Sequence, residues 1–223
     1  NSRTTLSDQP GHDRQESTSL ALDSTLHLAS VDLQLLASLG NTDSEYGYDE
    51  DWTFAGIHPD GYSAFDDYLR QRDTLNLEAR VISNQPIKTG SLSTDWLVGI
   101  YALQTREDLT RIYTYDSDFN SEFDFTNLAI FTQLDTTITD QWQFSTGLRL
   151  EQRDASYNDS QAVAFNPKEN FWGGRIALQY FPNDGKMLYA SLSRGYKAGG
   201  FNTDGSLDAD LRQFDADYLV ELE

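Results

Sequence analysis

The 223-residue chain carries 16 basic and 36 acidic side chains, a formal net charge of −20, and it contains no cysteine. The excess of acidic residues excludes nucleic acid as a partner, because no basic surface could neutralise a phosphate backbone. The lack of cysteine excludes disulfides and thiolate metal sites.

Apolar residues are too scattered for a membrane-spanning helix. The longest apolar run, residues 96–103 (WLVGIYAL), is far shorter than the roughly 18 residues that such a helix needs. The negative mean hydropathy, −0.57, is still compatible with a membrane β-barrel. Barrel strands alternate lipid-facing and lumen-facing residues, so their hydropathy averages out as polar.

Alternation of apolar and polar residues predicts about nine strands. The pattern is clearest in residues 31–40 (VDLQLLASLG), 74–81 (TLNLEARV) and 142–151 (WQFSTGLRLE). Residues 26–39 also repeat leucine at helical spacing, but the intervening polar residues and the period of two favour a strand. In chain order, we expect strands near residues 15–22, 28–43, 70–83, 93–113, 123–136, 141–156, 170–181, 186–198 and 214–222.

The connections between these strands alternate between short and long. Short turns are expected near residues 23–25, 84–91, 136–141 and 182–186, the last with an Asn-Asp-Gly hairpin signal. Longer polar segments lie near residues 44–69, 114–122, 157–169 and 199–213. Membrane barrels place short periplasmic turns at one rim and long extracellular loops at the other, whereas a soluble sandwich mixes them. The sequence therefore predicts an all-β fold, a segment of an antiparallel transmembrane β-barrel.

Several stretches resemble, in order, the barrel strands and loops of TonB-dependent receptors. The most specific is MLYASLSRGYKAGGFN, which is similar to a strand of that family that rises from a short turn into an extracellular loop. The stretches are residues 46–54 (YGYDEDWTF), 72–83 (RDTLNLEARVIS), 95–103 (DWLVGIYAL), 123–135 (FDFTNLAIFTQLD), 141–151 (QWQFSTGLRLE), 187–202 and, more loosely, 214–223.

The resemblance implies a receptor of the iron–siderophore type in the outer membrane of a Gram-negative bacterium. Its partners would be outer-membrane lipid, an iron–siderophore or similar small ligand, and TonB, which contacts N-terminal parts of such receptors. The complete barrel would have about 22 strands, so about nine strands form a middle portion of it. We expect residues 1–223 to belong to the barrel domain, with the plug domain and the C-terminal strands outside this chain.

Aromatic and basic residues near the expected extracellular loops are the candidate ligand-binding residues. Aromatic rings can stack on a planar catechol, a sugar or a corrin-like ring, although the same rings can also pack the loops against one another. The candidates are Tyr46, Tyr48, Trp52, Phe54, Tyr62 and Tyr68 in the first long loop, and Arg194, Tyr196 and Lys197 near the last one.

Other site chemistries have weaker support in the sequence. The acidic residues between 43 and 51 lack the spacing of a dedicated calcium loop, so a solvated acidic loop is favoured. His12, His27 and His58 are far apart and show no metal-ligand spacing. Residues 194–200 (RGYKAGG) lack the Gly-x-x-x-x-Gly-Lys-Ser/Thr pattern of a phosphate loop. We therefore predict no metal site and no cofactor.

Rival functions remain open at this point. An outer-membrane adhesin or enzyme could use a smaller barrel, and an enzyme would need a histidine–carboxylate pair such as His58 with Asp60 or Asp66. A receptor of the same family could instead import vitamin B12, haem or an oligosaccharide. A soluble carbohydrate-binding β-sandwich is a further alternative. No nucleophile elbow or histidine-centred triad motif is present, so we predict that the chain is not an enzyme.

Overall fold

Eleven antiparallel strands form one sheet in the computed structural model, which describes residues 6–183, 185–203, 205 and 207–223, and nine of them follow one another across the sheet. Seven of these strands are 16 to 22 residues long. Crossing a bilayer takes roughly nine to eleven tilted residues, so these strands are longer than a membrane requires. The strand bounds are β1 His12–His27, β2 Val31–Asp49, β3 Phe65–Ser83, β4 Ile87–Thr89, β5 Leu92–Tyr113, β6 Phe119–Thr139, β7 Trp142–Asp159, β8 Ala164–Phe165, β9 Lys168–Asn183, β10 Lys186–Lys197, β11 Gly200–Phe201, β12 Gln213–Phe214 and β13 Asp217–Leu222.

The sheet is a meander in which consecutive long strands are neighbours. Its order is β1-β2-β3-β5-β6-β7-β9-β10-β13, while β4 and β8 are short additions to β5 and β7, and β11 pairs with β12 separately. This topology confirms the predicted all-β antiparallel fold. Within the described residues the sheet is open, with β1 and β13 as its outer strands.

Helical structure is a minor component of the fold. A short 3-10 helix spans Ala209–Leu211, in the connection between β11 and β12. Among the described residues, no helix is long and apolar enough to cross a membrane.

One face of the sheet, here called the apolar face, carries large apolar side chains that remain accessible. Ile100 is 60% exposed and Leu150 is 48% exposed, although both lie at the middle of long strands. A soluble protein rarely leaves so extended an apolar surface open. One row of directly opposed residues across this face is Leu35, Ala79, Ile100, Ile130, Leu150 and Trp172.

The opposite face, here called the polar face, holds charged side chains that cover one another. Glu151 is 8% exposed, and it accepts hydrogen bonds from Arg149 at 2.9 Å and from Asn127 at 2.8 Å. The Arg149 guanidinium also lies 4.7 Å from the centre of the Tyr101 ring. Buried charges are tolerated only when they are paired, so these ion pairs and hydrogen bonds allow the charged side chains to be buried on the polar face.

The apolar face has a polar boundary on the side of the long connections. Asn41, Asp73, Arg106 and Asp124 lie directly opposite one another in β2, β3, β5 and β6. The Asn41 amide donates to the Asp73 carboxylate at 2.9 Å. Beyond this row the outward side carries mainly polar residues, such as Asp43, Glu45 and Asp108, so the strands extend past the apolar band. At the other boundary, Trp142 stacks on Tyr180 with ring centres 4.4 Å apart, a placement typical of interfacial aromatic residues.

The turn predicted at residues 23–25 was wrong. Asp23, Ser24 and Thr25 continue β1 and pair with residues 34–36 of β2, and the chain reverses at residues 28–30 instead. Asp-Ser-Thr has the composition of a turn, but Leu22 and Leu26 on either side keep the period of two on the apolar face. Cross-strand pairing thus prevails over local turn preference.

The first predicted long loop is shorter than expected. Residues 44–49 and 65–69 extend β2 and β3 in uninterrupted register, as far as the pair Asp49 and Phe65. Apart from Gly47 and Leu69, the residues of these extensions are polar or aromatic on both faces, so the hydropathy alternation fades while backbone pairing continues. Tyr46, Tyr48 and Tyr68 therefore lie on strands, and the placement of these three residues in a loop was wrong.

Two other predicted long segments are also shorter than expected, because β5 joins β6 through residues 114–118 and β7 joins β9 through residues 160–167, whereas the connection from β10 to β13 spans residues 198–216. The other predicted short connections are present. The short ones join β6 to β7 through residues 140–141 and β3 to β5 through residues 84–91, where Gly90 adopts a φ of 63°. In the predicted Asn-Asp-Gly turn, Asp184 lies outside the described residues. On its two sides β9 ends at Asn183 and Gly185 has a φ of 83°.

Candidate ligand-binding site

Tyrosine side chains gather on the polar face where β2 and β3 approach the first long connection. Tyr46 lies directly opposite Tyr68, and Tyr68 lies directly opposite Arg111 of β5. The Tyr46 ring centre is 5.6 Å from that of Tyr48 and 6.4 Å from that of Tyr68. Strand alternation explains this grouping, because residues two apart point to the same side of a sheet.

A buried ion pair lies beneath these rings. Asp66 is 1% exposed, and its two carboxylate oxygens accept hydrogen bonds from Arg111 Nε and Nη2 at 2.8 and 2.7 Å. Tyr48 and Tyr68 donate their hydroxyls to Asp66 Oδ2 at 3.3 and 3.1 Å. Bidentate pairing fixes the geometry of both groups, so the pair sets the positions of the two phenols.

The connection between β2 and β3 adds further aromatic residues to the site. The Tyr62 hydroxyl donates to Glu50 at 2.5 Å and lies 3.4 Å from the Tyr113 hydroxyl. Its ring stacks on Tyr115, with ring centres 5.2 Å apart and an interplanar angle of 17°. The hydrogen bond to the Glu50 carboxylate raises the pKa of the Tyr62 phenol. Tyr62 therefore remains a hydrogen-bond donor at physiological pH.

Trp52 and Phe54 lie in the same connection with more open surfaces. Trp52 is 69% exposed, adopts a φ of 55° and has its ring centre 6.4 Å from that of Tyr48. Phe54 is 40% exposed and lies next to Gly56. We call the tyrosine cluster the group formed by Tyr46, Tyr48, Trp52, Tyr62, Tyr68, Tyr113 and Tyr115 around the Asp66–Arg111 pair.

The tyrosine cluster has an acidic electrostatic character. Among the cluster partners in the described part of the chain, Arg111 is the one arginine or lysine, and it forms a bidentate pair with Asp66. Glu50 adds a second carboxylate through its hydrogen bond from Tyr62. A ligand at this surface therefore meets ring faces, phenol hydroxyls and carboxylates.

The candidates near the last long connection do not join the cluster. Tyr196 lies on the polar face, where its ring stacks on Phe171 at 4.8 Å and its hydroxyl donates to Glu151 at 3.1 Å. Arg194 lies on the apolar face against Trp172, with 4.1 Å between the guanidinium carbon and the ring centre. The pairing of β10 with β9 ends at Arg194 and Gly174, so the regular alternation of faces does not continue to Tyr196. Lys197 is exposed at the end of β10. Only Tyr196 shares the polar face with the cluster.

Sequence reasoning missed four members of this site, namely Asp66, Arg111, Tyr113 and Tyr115. Tyr113 and Tyr115 carried a usable signal, because both are aromatic residues at the end of a predicted strand. Asp66 and Arg111 had no local signal, since 45 positions separate them and only strand register brings them together.

Histidine contacts give no support for a metal centre. His12 lies 2.9 Å from an Asp67 oxygen, and His27 lies 3.0 Å from an Asp32 oxygen. Across the residues that the structure describes, no group of three or more histidines, cysteines or carboxylates could hold a metal ion.

A family model described as "TonB dependent receptor-like, beta-barrel" matches residues 1–214. The chain belongs to this family. TonB-dependent receptor barrels are outer-membrane proteins of Gram-negative bacteria, which places this chain in that membrane and confirms the predicted family and location. No curated protein sequence matches the chain significantly.

Solved structures with the same fold are receptors or transporters. The ferric yersiniabactin uptake receptor of Yersinia pestis has 18% identity and a TM-score of 0.76, over 95% of this chain and 33% of the receptor. The ferric preacinetobactin receptor of Acinetobacter baumannii has 14% identity and a TM-score of 0.70, over 95% and 35%. The ferric-catecholate import receptor of E. coli K12 has 10% identity and a TM-score of 0.72, over 93% and 38%.

These identities are low, so the likeness to solved receptors shows the fold alone. The chain spans about a third of the length of these receptors. In a TonB-dependent receptor barrel the apolar face meets lipid and the polar face lines the lumen. The tyrosine cluster therefore lies on the lumen side, at the rim that carries the long connections.

Proposed function

We propose that the chain forms part of the barrel wall of an outer-membrane receptor that imports an iron–siderophore-like complex, and that this part of the wall binds the ligand. The tyrosine cluster carries this proposal, because it presents several rings and hydroxyls around one rigid ion pair on the lumen side. The family assignment supports it, and so do the ferric-complex receptors among the structural neighbours.

The chemistry of the cluster suits a chelate with an organic shell. Siderophore-like ligands wrap the metal ion in rings and polar atoms, so recognition falls on stacking and on hydrogen bonds. Tyrosine supplies both from one side chain, at a small cost in conformational entropy. Asp66 and Arg111 do not need to touch the ligand, since their role is to hold Tyr48 and Tyr68 in place.

Within the complete receptor, the chain would act as barrel wall. TonB would supply the energy for release of the ligand through the plug domain, and outer-membrane lipid would cover the apolar face. Residues 1–223 would then all belong to the barrel domain, with the plug domain and the C-terminal strands encoded elsewhere in the protein. We assign no enzymatic activity to this chain.

The test is to replace Tyr48 and Tyr68 with alanine in the complete protein in its native outer membrane. Because stacked aromatic residues at the centre of an interface are often hot spots, each change should weaken ligand binding by about tenfold or more. Binding and uptake of radioactive iron would be measured with the bacterium's own siderophores. Tyr189→Ala, at an exposed tyrosine far from the cluster, is the matched control and should bind normally. Unchanged ligand affinity in both the Tyr48→Ala and Tyr68→Ala proteins would refute the proposal.

Vitamin B12, haem or an oligosaccharide remain alternative ligands for the same surface, since each presents a ring to stack on an aromatic side chain. The same variants distinguish them from an iron complex. If the cluster binds one of these molecules, Tyr48→Ala should reduce uptake of that compound and leave uptake of siderophore-bound iron unchanged.

A further inference from the structure

Arg194 occupies an unusual position for a charged residue, because its guanidinium lies on the apolar face. Trp172 defines the face, since it lies directly opposite Leu150, which in turn lies directly opposite Ile130. The guanidinium carbon of Arg194 is 4.1 Å from the ring centre of Trp172 and 4.5 Å from that of Tyr218. Directly opposite Arg194 in β9 is Gly174, which has no side chain to cover it.

The position along the strand places this group at the outer boundary of the apolar band. Trp142 and Tyr180 stack at the other boundary, and Tyr180 is eight positions after Trp172 in β9. At about 3.3 Å per residue and a tilt of about 40°, the separation is roughly 20 Å across a band about 25 Å tall. The next pair outward on this face, Gln152 and Asn170, is polar.

The charge of Arg194 has no carboxylate partner among the described residues, and the ion pairs in this part of the sheet are Arg149–Glu151, Lys168–Asp154 and Arg212–Asp159. One guanidinium N–H group donates to the Trp172 carbonyl. Arginine has five N–H donors, so several remain for a ligand. On a lipid-facing surface such a cation needs an anionic partner, and the membrane itself offers one at this level.

The surroundings match an anionic lipid rather than a free anion. On the same face, Ile176 and Leu192 lie on the membrane-inner side of Arg194 and are each 50% exposed, and Val220, directly opposite Arg194 in β13, is 66% exposed. They form an apolar surface that would contact acyl chains. Trp172 and Tyr218 hold the guanidinium between their rings, which leaves its planar edge for two oxygens of a phosphate.

We propose that Arg194, Trp172 and Tyr218 form a binding site for the phosphate group of an anionic lipid in the outer leaflet. The arginine edge pairs with two phosphate oxygens, the aromatic rings orient the arginine, and the acyl chains lie along Ile176 and Leu192. This site is on the opposite side of the barrel wall from the tyrosine cluster. It depends on the membrane assignment and not on the identity of the imported ligand.

The experiment uses the complete protein purified in a mild uncharged detergent. Native mass spectrometry would count adducts after addition of phosphatidic acid, of phosphatidylcholine with the same acyl chains, or of inorganic phosphate. We expect phosphatidic acid adducts to exceed phosphatidylcholine adducts, and Arg194→Gln to reduce them by about tenfold because a charge-assisted bidentate contact is lost. Trp172→Leu should give a smaller loss.

The matched control is Arg175→Gln, which removes an exposed arginine from the opposite face of β9. That variant should retain wild-type lipid adducts, and the circular dichroism of all variants should keep the β-sheet signal. Equal adducts in the Arg194→Gln protein and the wild type would overturn the site. Full competition by inorganic phosphate would overturn the lipid assignment, because it would identify the site as one for a free anion.

Discussion

At the residue scale, Asp66 shows how the candidate site depends on one ion pair. Its carboxylate is 1% exposed and accepts hydrogen bonds from Arg111 and from two tyrosines of the cluster. Removing one partner of such a pair leaves a buried charge without compensation, whereas removing both partners removes the problem.

We therefore expect Arg111→Met to destabilise the barrel by about 3 kcal/mol, because Asp66 keeps its charge without its cation. The double variant Asp66→Asn, Arg111→Met should recover most of that loss. Thermal unfolding of the complete protein, followed by circular dichroism, would measure both changes. Equal destabilisation in the single and double variants would show that the cost comes from packing of the arginine and not from the stranded carboxylate.

The sequence predicted the aromatic members of this site better than the charged ones. Tyr46, Tyr48 and Tyr62 were identifiable because an aromatic residue near a loop is unusual enough to be noticed locally. Asp66 was one of many acidic residues, and its burial follows only from the register of β3 with β5. Residue type can be read from a sequence, but a pairing across 45 positions cannot.

At the element scale, the connection between β10 and β13 is held by a buried arginine. Arg212 is 3% exposed, forms an ion pair with Asp159 at the end of β7, and donates to the Leu207 carbonyl at 2.8 Å. Tyr157 donates to the same carboxylate at 2.7 Å and stacks on Phe201 with ring centres 5.2 Å apart. These contacts join two long connections into one packed unit.

Replacing Arg212 with methionine should separate the connection between β10 and β13 from the end of β7, because the buried Asp159 loses its cation. We expect the residues around 207–212 to become sensitive to added protease on intact cells, with cleavage at least several-fold faster than in the wild type. Arg106→Met is the matched control, since Arg106 forms an exposed pair with Asp108. Equal cleavage rates in the two variants would contradict a structural role for Arg212.

Strand existence was predictable at this scale, and strand ends were not. Leu75, Leu77 and Ala79 alternate with polar residues because one face meets lipid, so the middle of β3 was evident. Near its start, apart from Leu69, both faces are polar or aromatic, and the signal disappears although the backbone pairing continues. The misplaced turn at Asp23 has the opposite cause, since turn-forming residues there lie within a paired strand.

At the scale of the whole molecule, the apolar face distinguishes a membrane protein from a soluble sheet. Ile100 is 60% exposed, which in a soluble protein would make it tolerant of polar substitution. On a barrel wall the same position lies against hydrocarbon, where a lysine near the midplane costs about 2–4 kcal/mol.

Ile100→Lys should therefore reduce the yield of folded receptor in the outer membrane and lower its unfolding free energy in lipid vesicles by about 2 kcal/mol or more. The matched control, Gln133→Lys, places the same charge on the polar face beside Asp135 and should be nearly neutral. A well-tolerated lysine at position 100 would indicate that this face does not meet lipid.

The polar row formed by Asn41, Asp73 and Arg106 has a consequence for how the receptor appears from outside the cell. β5 continues beyond this row for residues 107–113, roughly 18 Å of vertical rise at about 3.3 Å per residue and a tilt of about 40°, so its outer end stands clear of the hydrocarbon layer. An antibody raised against the outward-facing surface of the strand ends beyond the polar row, around Asp43 and Glu45, should label living bacteria. The antibody would bind the outer surface of the barrel wall, so it should not block ligand entry through the extracellular opening of the barrel. Flow cytometry would measure antibody binding, and an iron-uptake assay on the labelled cells would measure ligand entry.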